Sequence, residues 1–179
     1  SGSNAYFDCV CRPGRHGSKE NYLIGKMNGI NTEGISLPPA TEPVGNYTQV
    51  QKVNDLYFFS GVGPSVGTGI LGKTMTLEDG YQAARRVGLN LLGALYCALD
   101  GDWAKLKKVI KVNAFVRCTD DFYEQSKVID GLSDLFVEVL GEKGKHARTD
   151  VGTIALPFGI PLEAEMIVEV KSEMKKERR

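Results

Sequence analysis

The nine residues Leu162–Val170 read Leu-Glu-Ala-Glu-Met-Ile-Val-Glu-Val, an alternation of apolar and mostly acidic side chains. A period of two sends successive side chains to opposite faces of a strand. Leu162, Ala164, Met166, Val168 and Val170 therefore share one face, and Glu163, Glu165, Ile167 and Glu169 the other. Such a strand cannot bury both faces in ordinary core. Its apolar face is expected to meet helices, and its acidic face to look at water, a partner subunit or a ligand. With the extended segment that starts at His146 and the Pro/Gly connection over residues 157–161, it forms the stretch on which the rest of the chain is organised.

The preceding elements supply the layer this strand needs. Residues 47–53 and 56–61 read as a hairpin turned at Asn54-Asp55. A loop with four glycines follows over residues 62–72. It has neither the Walker nor the GxGxxG spacing, so it reads as a plain connection. Thr76 and Asp79 form a capping-box pair that opens a helix running to about Leu99. Gly80, Gly88 and Gly93 within it point to close packing on a sheet. A strand over 109–116 and a helix capped at Asp120-Asp121 come next. Val128, Ile129, Leu132, Leu135, Phe136, Val139 and Leu140 recur at helical spacing until Gly141 stops it. Residues 22–35 allow a short helix, weakened by three glycines. The order defines an α+β sandwich, a mixed and mostly antiparallel sheet with two helices packed on one face. The other face is left open, which argues for an oligomer that covers it.

Composition narrows the function classes. The 179 residues suit a single domain, expected over 35–171, with an N-terminal extension over 1–34 and a mixed basic and acidic tail over 172–179. The first five residues resemble an expression-tag remnant. Lys+Arg and Asp+Glu are both 22, so no basic footprint for nucleic acid or an anionic membrane is present. No apolar run reaches the roughly 20 residues of a membrane span, and no signal-peptide pattern opens the chain. Cys97 and Cys118 fall in helix and strand patterns and are expected to be buried reduced thiols, which implies a cytoplasmic setting. Cys9-Val-Cys11 with His16 lacks the spacing of a structural zinc site, so no metal and no cofactor are expected.

The chemistry concentrates in the C-terminal stretch. Arg148 sits between His146 and Asp150, with Gly152 on its own face. An arginine beside a glycine leaves room for a planar carboxylate in its bidentate fork. The alternative is that Arg148 pairs with Asp150 or Glu169. Glu163 and Glu165 read either as site carboxylates or as solvated strand residues. Were the two C-terminal segments a direct hairpin, Glu163 would lie roughly 23 Å from Arg148 at strand rise. The two would then cooperate only across a subunit interface, unless another strand separates them.

At these residues the chain resembles the RidA (YjgF) family, also called endoribonuclease L-PSP. The resemblance rests on Ala147-Arg148-Thr149-Asp150-Val151-Gly152, Leu156-Pro157 and Leu162-Glu163-x-Glu165. It continues in Gly45-Asn46-Tyr47, Phe58-Phe59-Ser60-Gly61, Val112-Asn113-Ala114-Phe115-Val116 and Asp121-Phe122. It implies a chorismate-mutase-like fold and a homotrimer with sites between subunits. The activity it implies is hydrolysis of 2-imino (enamine) acids to 2-keto acids and ammonia. By that resemblance Arg148 holds the substrate carboxylate, Glu163 positions or activates the water, and Tyr47 and Ser60 line the pocket. Three positions depart from the family pattern. Val62 stands where Gln is frequent, Ser126 where deaminating members carry Asn, and Asp150 where Cys is frequent. The alternatives are a non-catalytic trimer that binds a small carboxylate, or the ribonuclease of the family's older name. Zero net charge and only two histidines argue against the ribonuclease.

Overall fold

The computed structural model describes residues 22–23, 30–65 and 67–172. The zinc-like Cys9, Cys11 and His16 pattern, the tag-like start and residues 173–179 lie outside the described residues.

The element order is β1 (Tyr22–Leu23), β2 (Ser36–Leu37), β3 (Val50–Val53), β4 (Leu56–Val62), α1 (Leu77–Ala98), β5 (Leu106–Arg117), α2 (Gln125–Leu140), β6 (Ala147–Thr153) and β7 (Leu162–Val170). The main sheet has the order β3-β4-β7-β5-β6. β7 pairs antiparallel with both β4 and β5, while β6 runs parallel to β5. A parallel pair needs a long crossover, and α2 provides it. β4 and β5 run the same way with β7 inserted between them, and α1 is their crossover. Both helices thus cover one face of the sheet. The chain is the α+β sandwich that its patterning implies.

β7 occupies the middle of the sheet because its alternation suits a strand covered on one side only. Leu162, Ala164, Met166, Val168 and Val170 are buried, and the four residues between them are half-buried. The predicted hairpin closes at Asn54, whose positive φ of 52° is the left-handed geometry that asparagine tolerates. Thr76 caps α1 with both reciprocal bonds of the capping box.

Four expectations need correction. Residues 22–23 form a strand against β2 rather than part of a helix. α2 begins at Gln125, not at Asp120-Asp121. Phe122 N–H donates to the Thr119 carbonyl, and the Gln125 side chain donates to the Phe122 carbonyl, so the two aspartates belong to a turn that ends before the helix. Cys97 is disulfide-bonded, whereas Cys118 is a free thiol. Lastly, the helix glycines face the other helix and the entry segment rather than the sheet. Gly88 packs on Leu132 and Leu135, and Gly93 on the backbone of Pro38.

Gly131 of α2 shows how tight this contact is, since a Cβ there would run into the carbonyl oxygen of Tyr81 on α1. Backbone cannot step aside as a side chain can. Gly131→Ala is therefore expected to destabilise by about 1–3 kcal/mol despite alanine's better helix propensity. Denaturant unfolding would check this, and a midpoint equal to or above that of the parent would refute it.

Candidate functional site

The edge strand β6 and helix α2 build a polar cluster around Arg148. The guanidinium Nε donates to Asp150 at 2.8 Å, and Nη1 donates to Asp130 at 2.9 Å and to the Ser133 hydroxyl at 3.0 Å. Nη2 donates to the backbone carbonyl of Ser126 at 3.2 Å. The Ser126 hydroxyl in turn donates to the second oxygen of Asp150 at 2.6 Å. Asp150 is 10% exposed and Asp130 50%. Charge-assisted bonds of this kind are the stronger ones in a protein.

His146 gives the cluster a direction. Its Nδ1 lies 2.6 Å from the Gly144 carbonyl, which can only accept, so Nδ1 carries the proton. Its Nε2 lies 3.0 Å from Ser133 Oγ. Ser133 accepts from Arg148 and donates to this bare nitrogen. Burial holds His146 below the usual histidine range, against the Gly144 hydrogen bond and with help from the Arg148 charge. A neutral ring fits the hydrogen bonds.

Glu163 sits elsewhere. Its carboxylate lies over Gly61 of β4, where a Cβ would collide with it. Ser60, next along β4, donates its hydroxyl to the Thr48 carbonyl at 2.7 Å. Glu165 is held by the Asn113 amide at 2.9 Å, but among the described residues no hydrogen bond reaches the Glu163 carboxylate. Burial, with Glu165 adding like charge, pushes the Glu163 carboxyl above the ordinary carboxylate range. Tyr47 is in the loop before β3 and 47% exposed.

Sheet register decides which of these residues meet. Arg148 shares a row with Val112 and Met166, on the helix-covered face; Glu163 shares a row with Phe115 and Val151, on the open face. β5 lies between their strands, so no direct hairpin forms. Three residues along and two strands across place their Cα atoms about 14 Å apart, rather than the roughly 23 Å of a hairpin. One chain brings Arg148, Asp150 and Ser126 together, and separately sets Glu163 against Gly61, the chain neighbour of Ser60. It does not unite the two groups.

Asp130 and Ser133 carry no motif of their own in the sequence. Ser126, Asp130 and Ser133 recur at i, i+4 and i+7, a polar stripe beside the apolar face of α2, and that spacing was the available signal. The room expected beside Gly152 is also taken, since a Cβ there would meet the Cys118 sulfur at 2.8 Å and the Gln125 amide at 3.0 Å.

A mixed five-stranded sheet with two helices on one face and an acidic, partly apolar face left open defines a chorismate-mutase-like α+β protein. A family model described as "YjgF/chorismate mutase-like, putative endoribonuclease" matches residues 28–173, and the chain belongs to that family. Protein TCP17 of Trypanosoma cruzi is 40% identical over 145 residues, which cover 78% of this chain and 90% of that protein. A 2-iminobutanoate/2-iminopropanoate deaminase of Dermatophagoides farinae is 28% identical over 138 residues, 76% of this chain and 95% of the relative. Among solved structures, Atu1372 of Agrobacterium tumefaciens, a protein of unknown function, is 38% identical with a TM-score of 0.69. That match covers 73% of this chain and 87% of the other. Among the described residues no helix is long and apolar enough to cross a membrane.

Proposed function

We propose that this protein hydrolyses 2-imino acids, with their enamine tautomers, to 2-keto acids and ammonia, in sites closed between the copies of a homotrimer. The observation that carries the reading is the division of Arg148 and Glu163 between opposite faces of one sheet. Each half lacks what the other holds, and a neighbouring copy laid on the open face or on edge strand β6 supplies it. Leu56, Phe58, Phe115 and Val151 on the open face are 36–45% exposed, an apolar surface suited to burial in an oligomer. Family membership and the deaminase relative support the chemistry.

In this reading Arg148 anchors the substrate carboxylate, and Ser60 and Tyr47 line the pocket beside Glu163. Glu163 takes a proton from water as the oxygen attacks the imine carbon, and the imine nitrogen gains a proton. The resulting carbinolamine loses its hydroxyl proton, the nitrogen is protonated again, and ammonia leaves as the carbonyl forms. A carboxyl raised by burial holds a proton more readily than an ordinary carboxylate, so it can accept one and return it, which is what such a shuttle needs. Fixing the substrate by its carboxylate makes the attack effectively intramolecular.

The test is ammonia release from enzymatically generated 2-iminopropanoate by the parent and by Arg148→Ala. Release above buffer that collapses in the variant supports the reading; equal rates, or none above buffer, remove it. A second reading, a trimer that binds a small carboxylate without turnover, is favoured by the occupation of Arg148 by two aspartates. Saturable pyruvate binding without ammonia release would select it.

A further inference from the structure

A guanidinium offers five N–H groups, and their use around Arg148 is uneven. Nε is taken by Asp150, whose other oxygen is fixed by the Ser126 hydroxyl and which is 10% exposed. Both hydrogens of Nη1 are used, by Asp130 and Ser133. Nη2 spends one hydrogen on the Ser126 carbonyl, leaving its second. Bidentate capture of a carboxylate needs two neighbouring N–H groups on one edge. The Nε/Nη2 edge is closed by the anchored Asp150. On the other side Nη1 is held in part by Asp130, which is half-exposed and whose only described partner is Arg148. Of the two aspartates, Asp130 is therefore the one able to leave.

The geometry points to Asp130 as the specificity-determining residue of this site: it holds an Arg148 Nη1 hydrogen that a ligand carboxylate would use and is displaced when that ligand binds. The inference rests on Arg148 being the carboxylate anchor of the proposed function. Once displaced, the Asp130 carboxylate stays beside the bound ligand, held there by its helix. The cluster of Arg148, Asp150 and Asp130 then carries one net negative charge. A plain 2-keto acid adds another. A ligand with a protonated nitrogen next to its carboxylate adds none and can pair with the freed Asp130. The site thus favours zwitterionic amino or iminium acids and disfavours the keto acid that hydrolysis would yield, which helps product to leave. Asp150, locked by Ser126, contributes charge without taking part in the exchange.

The experiment uses the full chain and its Asp130→Asn variant. Pyruvate and L-alanine are titrated at millimolar concentrations, with binding followed by amide chemical shifts. Asparagine keeps the size and a hydrogen-bonding oxygen while removing the charge, and the position is half-exposed, so folding is expected to be unchanged. The pyruvate Kd should fall about tenfold in the variant, the scale of one half-exposed charge at contact distance. The alanine Kd should change by less than about threefold. For turnover of 2-iminopropanoate, KM should change while kcat stays within about twofold, because Asp130 touches the anchor and not the reacting carbon. Pyruvate binding that is equal in both proteins, or absent from both, overturns the inference, as does an equal gain for pyruvate and alanine. A pyruvate-selective gain without any ammonia release would leave the inference standing and remove the hydrolase reading alone.

Discussion

Arg148→Ala is expected to lower ammonia release from 2-iminopropanoate by about 10²–10³-fold, the scale for removing one charged group that positions a reacting substrate. It is also expected to destabilise the fold. Asp150 is nearly buried and would keep only the Ser126 hydroxyl against its charge. Breaking a buried pair by removing one partner costs about 3–5 kcal/mol, and the partial exposure of Arg148 places this case at or below the low end. Loss of activity alone would therefore be ambiguous. The double variant Arg148→Ala with Asp150→Asn separates the two effects, because it removes the stranded charge along with its cause. Thermal unfolding of the double variant should recover most of the lost Tm, while ammonia release stays low. Recovery of activity together with stability would show that Arg148 acts only as a structural partner of Asp150.

Glu163→Gln is expected to reduce turnover by about 10²–10⁴-fold, since the amide can neither accept nor return the proton. Its effect on stability should have the opposite sign. The folded-state pKa of Glu163 lies above the usual carboxylate value because its carboxyl is buried beside Glu165. Between the unfolded value and the folded one, the folded chain holds a proton that the unfolded chain has lost. Stability therefore falls as pH rises through that window and stays lower above it. A glutamine does not titrate, so the variant should match the parent below about pH 4 and exceed it near neutrality, by up to a few degrees in Tm. Paired melts at the two pH values measure this difference directly. A variant less stable than the parent at neutral pH would mean that Glu163 has a donor in the assembled protein. A variant that retains full turnover would remove Glu163 from the chemistry.

Much of this architecture was legible because side-chain periodicity reports which face is buried. The alternation of Leu162–Val170 identifies a half-covered strand, the Thr76/Asp79 pair identifies the start of α1, and the apolar run from Val128 to Leu140 identifies the inner face of α2. The start of α2 differs from the expected one because aspartates serve turns as readily as caps. Only the Gln125 bond to Phe122 shows which role was taken. Cys97 is bonded rather than free, and one residue's periodicity carries no information about what its sulfur meets. The helix glycines meet neighbours other than the expected sheet for a similar reason. Small residues mark a close approach without saying by what.

For the candidate site, the residue types were readable and their grouping was not. The sequence by itself determined that Arg148 and Glu163 lie on different strands and that β7 has an acidic face unsuited to core. These are local properties of spacing and residue type. Tertiary structure alone decided that β5 is inserted between β6 and β7, which places the two residues on opposite faces of the sheet. It also decided that the Arg148 fork is filled by Asp150 from its own strand and Asp130 from α2. The physical reason is that strand order and helix docking are set by burying the apolar face of the whole sheet, a sum over contacts distant in sequence. The polar residues are carried to wherever that burial leaves them.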